Sequence, residues 1–448
     1  MCGILGSILG NTGSPDPGRF NLALGLLEHR GPDRRSFLVV NGSGTHRLFG
    51  SLDSTLEPAG GQIVLGFCRL AILDLSSAGD QPMTSPDGLL HIVFNGEIFN
   101  YLEIREELVQ LGWRFRSQSD TEVLLAAYQQ WGADCLGKLL GMFAFAVADM
   151  KRRVLFLARD HLGIKPLYYT FASGKGAFSF ASQVAALLKV SSLPPVAQSG
   201  ALGDYLLRGH IDHTQATLFR GVEQVLPGHY LEIGMDQTLP AAQVRYWSAP
   251  AGGRSELSAS EATEQFRGHL EDSVRLHLRS DVPVASALSG GMDSSSIVSL
   301  MRKLQPPDTP IHTFTFVTRG CPGFDPAWDE EKWADIVGQS ARAVMHKVRV
   351  DPHQLPQDCE RFLLLQDGPF GSPVVWVQQK IFQAAHAAGF RAMMSGQGAD
   401  ELVAGYRRHI AARLASLLRQ GRMGKYLRLL RAGNRQPNPE GLGLRSAS

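Results

Sequence analysis

The sequence has few cysteines and no long apolar run. Its cysteines are scattered without a C-x-x-C spacing, which gives no sign of a disulfide framework or a zinc site. No apolar stretch reaches the roughly 18 residues that a membrane-spanning helix needs. The first residues lack a basic segment followed by an apolar one, so we expect no signal peptide and a reduced, cytoplasmic location. The five cysteines are Cys2, Cys68, Cys135, Cys321 and Cys359.

An excess of charge is also lacking. Lys and Arg number 44 against 42 Asp and Glu, a net charge of +2 over 448 residues. This balance gives no reason to expect a nucleic acid or a membrane as a partner. The length predicts two or three domains, and changes of composition suggest where they meet. We predict a first domain over 2–190, a connecting segment over 191–259, a second domain over 260–432 and a flexible tail over 433–448.

The first chemical signal is the N-terminus, Met1-Cys2-Gly3. If Met1 is removed, Cys2 carries a thiol and a free α-amine on one carbon. That amine titrates at roughly 7.7–8.0 and can act as the base for the thiol, so no separate His is needed. An ordinary second-position cysteine without a role is the alternative that this residue alone leaves open.

The first domain alternates short apolar strands with Gly, Asn and Asp turns. We predict buried strands at 62–67, 91–94, 141–147 and 154–158, with the last two paired across a turn at 149–153. Helices are predicted over 101–111, with Asn100 as N-cap, and over 120–131, starting at Ser119 or Asp120. Strands covered by helices indicate an α+β layered sandwich.

Three polar clusters accompany these strands: His29–Asp33, Arg69 and Asn95-Gly96-Glu97. A thiolate that attacks an amide needs an oxyanion site, which the Asn95 side chain and the Gly96 N–H suit. Arg69 suits the carboxylate of an amino-acid substrate, and Asp120 suits its ammonium. Each cluster also has an ordinary structural explanation, namely a surface ion pair, a solvated strand end and a hairpin turn.

From residue 260 the pattern changes to alternating helices and strands, which is typical of a doubly wound, mainly parallel sheet. Helices are predicted over 261–278, 296–304 and 330–342, and strands at 282–288, 311–317, 344–350 and 391–394. A Gly-rich turn at 395–402 follows the last of these strands and enters a helix. The Arg- and Leu-rich stretch 407–431 predicts a solvated helix face rather than a nucleic-acid surface.

The loop 289–295, Ser-Gly-Gly-Met-Asp-Ser-Ser, joins a predicted strand to a predicted helix. Free N–H groups and the helix dipole converge at such a point, which favours an anion such as phosphate. The hydroxyls of Ser289, Ser294 and Ser295 add donors, and Asp293 is suited to hold Mg²⁺ beside phosphates. No Gly-Lys-Ser/Thr follows, so this is not a Walker A loop. A plain structural turn is the alternative for 289–295. For the turn at 395–402, the alternative is a plain helix N-cap.

The motifs of the first domain resemble, in order, the class II glutamine amidotransferase domain, and more narrowly the glutaminase of glutamine-hydrolysing asparagine synthetases. They are Cys2–Ile4, His29–Asp33, Arg69–Asp74, Asn95–Asn100, Ser119–Glu122, Ala158–Asp160 and Gly163–Tyr169. The resemblance implies an α/β/β/α sandwich of the N-terminal-nucleophile hydrolases. Catalysis would rest on Cys2, Asn95 and Gly96. The glutamine site would comprise Arg69, Leu70, Ala71, Ile72, Leu73, Asn95, Gly96, Glu97 and Asp120.

The loop 289–295 resembles the pyrophosphate loop of the N-type ATP pyrophosphatases, which asparagine, argininosuccinate and GMP synthetases share. The turn at 395–402 resembles the second signature of the synthetase. The resemblance implies Mg²⁺ ligation by Asp293 and Asp400. Gln397 stands where the family often has a Glu that acts at the acyl-adenylate step. The implied ATP contacts are Leu288, Ser289, Gly290, Gly291, Asp293, Ser294, Ser295, Phe316, Ser395 and Gly396.

The resemblance therefore implies ATP- and Mg²⁺-dependent amidation of aspartate to asparagine, with ammonia supplied by glutamine. One alternative is another small carboxylate as acceptor, although the retained Cys2 argues against the ring-closing relatives. The other is a truncated chain with glutaminase activity only. Gln397 and the lack of a motif matching the family's C-terminal Lys favour that second alternative, and we expect domain 260–432 to be incomplete relative to the family. The oligomeric state, with a homodimer among the options, stays open.

Overall fold

The computed structural model describes residues 1–9, 16–41, 44–52, 62–172, 177–235, 242–250, 256–318 and 329–433. Residues 434–448 of the predicted tail lie outside the described residues. We call the described residues up to 250 the N-terminal half and those from 256 onward the C-terminal half.

Two antiparallel sheets build the described part of the N-terminal half. The first sheet has the order β11-β9-β10-β1-β4-β2-β3 and the second the order β13-β12-β8-β7-β6-β5. The strands are β1 Gly3–Ile8, β2 Arg34–Val40, β3 His46–Phe49, β4 Ile63–Arg69, β5 Met83–Thr84, β6 Leu90–Ile98, β7 Gly141–Asp149, β8 Val154–Arg159, β9 Tyr168–Ala172, β10 Ala177–Ala181, β11 Glu223–Gln224, β12 His229–Gly234 and β13 Val244–Arg245.

Helices cover the outer faces of both sheets, with an apolar layer between the sheets that includes Ile4, Phe67 and Val93. The helices are α1 Pro17–Gly25, α2 Tyr101–Gln110, α3 Asp120–Trp131, α4 Val184–Ser191 and α5 Ser199–Arg208. α1 and α4 pack on the first sheet, and α2 and α3 on the second. This α/β/β/α layering confirms the predicted sandwich.

Three local features differ from the sequence-based expectation. Asn95 and Gly96 form no turn but lie inside β6, because the pairing with β7 continues through Gly96 opposite Phe143. Asn100 stands at the N-cap position of α2, yet its side chain bonds the carbonyl of Lys138 and the N–H of Leu140 instead. The segment predicted as a connection also contributes β11 and β12, which pair with β9 and β8 of the two sheets.

The described part of the C-terminal half has a parallel sheet in the order β16-β15-β14-β17. Its strands are β14 Val284–Ala287, β15 Ile311–Val317, β16 Ala343–Arg349 and β17 Ala392–Met394. Its helices are α6 Ala259–His277, α7 Met292–Leu304, α8 Glu331–Ser340, α9 Leu355–Gln366, α10 Pro373–Ala387, α11 Ala399–Val403, α12 Arg407–Arg419 and α13 Met423–Gly433. The strand predicted at 311–317 is confirmed, whereas α7 begins at Met292 rather than at Ser296.

Candidate active sites

Cys2 precedes β1 and is half-buried against the apolar layer between the two sheets. β1 pairs with β4 so that Gly3 lies opposite Cys68, which brings the thiol beside the chain that follows β4. There the N–H of Leu70 donates to Cys2 Sγ at 3.4 Å, and the thiol lies 3.6 Å from the carbonyl oxygen of Leu70. The tertiary fold thus places the predicted nucleophile against Leu70, one of the predicted glutamine-binding residues Arg69–Leu73. We call the quoted motif that contains them, Arg69–Asp74, segment 69–74.

The environment of Cys2 controls how readily it loses its proton. Burial raises the pKa of the thiol, and the nearby N-terminal amine and the Leu70 N–H partly oppose that rise. Burial also lowers the pKa of the Met1 amine, to about 5. Because the thiolate is the nucleophile, a buried thiol of this kind needs a base close by, and a neutral amine is chemically suited to be that base.

Asn95 projects from β6 into the layer between the sheets. Val93 packs there with Ile4, and side chains alternate along a strand, so Asn95 and Glu97 share the face on which Cys2 lies. Asn95 is fully buried, and neither its side-chain oxygen nor its nitrogen has a hydrogen-bond partner among the described residues. A buried amide without partners costs free energy, which marks it as a group available to a ligand.

The structure gives a reason for glycine at position 96 that the sequence did not show. A Cβ at this position would lie 2.2 Å from the carbonyl oxygen of Met142, on the neighbouring strand β7. The sequence had suggested that Gly96 serves the approach of a ligand to its N–H. In the structure, the missing side chain first allows close packing of β6 on β7.

Glu97, which is half-buried, and Asp120, which is buried, form an acidic pair. Burial, followed by the charge of Asp120, raises the pKa of Glu97 well above its usual range, whereas Lys165 lowers it. Burial raises the pKa of Asp120 to about 6, although its carboxylate accepts a hydrogen bond from the N–H of Ile98 at 3.0 Å. An ammonium group bound beside these carboxyls would favour their charged forms, as expected for an amino-acid site.

Arg69 is buried at the end of β4, and its guanidinium is already engaged within the protein. It donates to the carbonyl oxygen of Ser76 at 2.7 Å and to Asp80 Oδ1 at 2.8 Å, and it also bonds the carbonyl oxygen of Asp74. These contacts shape the loop after segment 69–74. The role of Arg69 in holding a substrate carboxylate stays a prediction.

Two cations near Cys2 were not assigned a role from the sequence. Arg30 Nε donates to the carbonyl oxygen of Cys2 at 3.0 Å and so holds the main chain of the predicted nucleophile. Lys165 is buried, and its charge acts on both Glu97 and Cys2. Both residues belong to the quoted motifs His29–Asp33 and Gly163–Tyr169, so the signal was present without the geometry to interpret it.

The stretch 289–295, predicted as a loop, comprises a short turn at 289–291 and the first residues of α7. Gly291 is the N-cap of α7, and no side chain caps the first turn. The hydroxyls of Ser289 and Ser294 lie 3.0 Å apart and share a hydrogen bond, so one of the two is already engaged as a donor. Ser295 Oγ is buried without a partner among the described residues. The first turn of this helix is therefore uncapped by a side chain, which suits an anion, and phosphate binding there stays a prediction.

The turn at 395–402 lies against this loop, as the parallel pairing of β14 with β17 requires. A Cβ on Gly396 would lie 2.9 Å from Cβ of Asp293. Burial, followed by the charge of Asp400, raises the pKa of Asp293, so the charge of one predicted metal ligand reaches the other. Two carboxylates beside an anion site suit Mg²⁺, which prefers oxygen ligands and is usually held by one or two carboxylates plus phosphates.

The remaining predicted nucleotide contacts are positioned less specifically. Ser395 Oγ accepts a hydrogen bond from the N–H of Gln397 at 3.2 Å, so both belong to one turn. Phe316 packs against the cluster of Val350, Phe362 and Trp376. Its contact with adenine stays a prediction. No group of three or more His, Cys, Asp or Glu side chains arranged for a metal ion occurs within the described ranges.

Comparison with known proteins assigns both halves. Residues 1–247 match the family model of the glutamine amidotransferase domain, and residues 265–441 match that of asparagine synthase. The chain belongs to the asparagine synthetase-like family of glutamine amidotransferases, with a glutamine amidotransferase domain followed by an asparagine synthase domain.

Individual relatives are moderately similar. A Mycobacterium tuberculosis protein named for glutamine-hydrolysing asparagine synthesis is 33% identical over 91% of this chain and 60% of its own length. Asparagine synthetase [glutamine-hydrolyzing] 1 of Bacillus subtilis is 34% identical over 76% of this chain and 51% of its own. Amidase chyE of Penicillium rubens is 30% identical over 86% of this chain and 54% of its own. The chain thus spans somewhat over half the length of these relatives.

A solved structure shows a more distant likeness. The glutamine phosphoribosylpyrophosphate amidotransferase of Bacillus subtilis is 16% identical, with a TM-score of 0.41, over 78% of this chain and 81% of that chain. Among the described residues, no helix is both long enough and apolar enough to cross a membrane.

Proposed function

We propose that this chain is a glutamine-dependent amidotransferase that converts aspartate to asparagine with ATP. The observation that carries the proposal is the juxtaposition of Cys2 with Leu70 and with the face of β6 that bears the unpaired, buried Asn95. A thiol, a buried amide without partners and a pair of carboxyls in one site match the needs of amide hydrolysis of an amino-acid side chain.

In the N-terminal half, removal of Met1 would expose Cys2 as the nucleophile with its own amine as base. The thiolate attacks the side-chain amide carbon of glutamine, and the Asn95 side chain and Gly96 N–H stabilise the resulting oxyanion. Ammonia leaves with the transferred proton, and water hydrolyses the thioester to glutamate. Glu97 and Asp120 would bind the ammonium of glutamine. A free thiol in this role requires a reducing compartment such as the cytoplasm.

In the C-terminal half, ATP would bind with its phosphates at the first turn of α7. Asp293 and Asp400 would hold Mg²⁺, whose charge offsets that of the phosphates. The carboxylate of aspartate attacks the α-phosphorus, pyrophosphate leaves, and an acyl-adenylate results. Ammonia then displaces AMP to form the amide. Gln397 hydrogen-bonds in the turn but cannot accept a proton as a carboxylate does, so it would act by orientation alone.

A second candidate keeps this chemistry and changes the acceptor. Relatives named as amidases, such as Amidase chyE, are about as similar to this chain as those named as asparagine synthetases. The same family framework could therefore serve a carboxylate other than aspartate in this chain.

The decisive experiment supplies ammonium and omits glutamine. Protein is incubated with ATP, Mg²⁺, aspartate and ammonium, and pyrophosphate and asparagine are quantified in the same reaction. Equal amounts of both products are expected. Neither product, with glutamine hydrolysis still present, would contradict aspartate amidation by this chain and direct the search to other carboxylates.

A further inference from the structure

Segment 69–74 is held in place partly by the C-terminal half of the protein. Its inner side meets the nucleophile, since the Leu70 N–H donates to Cys2 Sγ at 3.4 Å. Its outer side meets Asp281, which lies 207 positions beyond Asp74 in the chain. This segment contains residues predicted to bind glutamine. Contacts that fix its main chain therefore also fix the geometry of the predicted glutamine site.

Asp281 makes a two-point contact with this segment. Its carboxylate Oδ2 accepts a hydrogen bond from the N–H of Asp74 at 2.7 Å. Its own N–H donates to the carbonyl oxygen of Ile72 at 3.1 Å. A donor and an acceptor on one residue bind the backbone on both sides of residue 73, which fixes direction as well as distance. Among the influences on the pKa of Glu97, after burial and Asp120, the charge of Asp281 also contributes to the rise.

Arg391 reaches the same segment through Asp33. Its guanidinium Nη1 donates to Asp33 Oδ2 at 2.6 Å. The same oxygen accepts the N–H of Ala71 at 2.8 Å, and the N–H of Asp33 donates to the carbonyl oxygen of Arg69 at 3.0 Å. Arg391 therefore fixes the carboxylate that in turn fixes the start of the segment.

Further contacts near Asp281 also connect the N-terminal and C-terminal halves, and we call these contacts between the halves the joint. Arg279 Nη1 donates to the carbonyl oxygen of Phe99 at 2.6 Å, and its guanidinium pairs with the carboxylate of Glu103 at 2.5 Å. The rings of Phe99 and His277 pack with centroids 3.8 Å apart. These contacts lie immediately before Asp281 in the chain, so they limit its freedom to move away from the segment.

We propose that Asp281 and Arg391 are positioning residues for glutamine hydrolysis, because they hold the main chain of segment 69–74 from the opposite half of the protein. This inference rests on the proposed function. It means that the glutamine site is completed only when the two halves are docked. Asp281 precedes β14 and Arg391 precedes β17, and the two Gly-rich loops follow these strands. The joint therefore connects the predicted nucleotide site to the predicted glutamine site through the short strands β14 and β17.

The expected signature separates positioning from catalysis. Neither residue touches Cys2, so losing one of these contacts should weaken glutamine binding more than it slows the chemical step. Removal of a hydrogen bond to the segment should raise the KM for glutamine roughly tenfold, which corresponds to ~1.4 kcal/mol, with kcat changed by about twofold or less. Asp281→Asn keeps an oxygen that can accept the Asp74 N–H, so it should stay close to wild type.

The test measures steady-state glutaminase kinetics of the full chain for wild type, Asp281→Ala, Asp281→Asn and Arg391→Ala. Asp351→Ala is the matched control, because the Asp351 carboxylate also accepts a backbone N–H, that of His353 at 3.0 Å, but within its own half. Asp281→Ala and Arg391→Ala should raise KM, while Asp281→Asn and Asp351→Ala should not. Ammonia-dependent product formation reports that each variant is folded.

The outcomes are distinct. An unchanged glutamine KM in folded Asp281→Ala and Arg391→Ala would overturn the inference and leave the proposed function intact. An equal rise in KM for Asp351→Ala would also overturn it, because the effect would then be general destabilisation. Absence of glutamine hydrolysis in the wild type would instead refute the proposed function, and this inference with it.

Discussion

The N–H of Leu70 donates to the Sγ of Cys2 at 3.4 Å, although 68 positions separate the two residues. An N–H aimed at sulfur favours the thiolate and partly offsets the cost of burying it. The contact depends on the pairing of β1 with β4, which sets Gly3 opposite Cys68. One strand register therefore brings the predicted nucleophile to residues predicted to bind its substrate.

Replacement of Cys2 should separate the two activities. Cys2→Ala removes the nucleophile, so glutamine hydrolysis should fall to background, whereas ammonia-dependent amidation should continue near the wild-type rate. Both are measured on the same preparation, as glutamate from glutamine and as product from ammonium. Loss of both activities in a folded Cys2→Ala protein would contradict two separate sites.

Asn95 should act on the chemical step. Removal of one oxyanion donor typically costs about 10²–10³ in kcat, so Asn95→Ala should lower glutaminase kcat by that order with a smaller change in KM. Steady-state measurement of glutamate release gives both kcat and KM for glutamine. A rise in KM at unchanged kcat would show that Asn95 binds the substrate instead of stabilising the oxyanion.

Asp293 should matter only to the ATP-dependent reaction. Asp293→Asn removes a carboxylate charge beside the first turn of α7, so Mg²⁺- and ATP-dependent pyrophosphate release should fall by a factor of about ten or more, which corresponds to ~1.4 kcal/mol. Asp308→Asn, at an exposed position of the same half, is the control. Glutamine hydrolysis should be unaffected in both proteins, and a parallel loss of that activity would argue against separate sites.

Asp367 should make the joint between the halves sensitive to pH. Its carboxylate accepts the N–H of Val184 at 2.6 Å, and burial raises its pKa from 3.8 to about 6. The folded state therefore favours the protonated form. Stability from this group is present below about pH 4 and is lost as the pH rises to about 6.

Asp367→Asn removes that ionisation while keeping an acceptor for the Val184 N–H. The Tm of the variant relative to wild type should therefore increase between pH 4 and 6 and then level off. Thermal unfolding across pH 4.5–7.5 in one buffer series measures the difference. A Tm difference that does not vary with pH would show that Asp367 does not ionise in this range.

Much of the fold followed from local pattern. The bounds of β15 and α3 agree with the prediction, because apolar runs bounded by polar residues and a Ser N-cap are local signals. The layered sandwich was predicted from strands accompanied by helices that can cover them. Asn95-Gly96 shows the limit of such signals, since a dipeptide typical of turns lies inside β6, where pairing with β7 outweighs local preference.

The sequence by itself determined the chemical groups, namely a cysteine at position 2, the Gly-rich loop before a helix and the acids at 293 and 400. Only the tertiary structure decided which of them meet. Segment 69–74 bonds Asp33 and Asp281, and Arg391 bonds Asp33 in turn. Asp281 and Arg391 are far along the chain and have no motif of their own. Hydrogen bonds between distant segments depend on strand register and on how the halves dock, and local sequence carries neither.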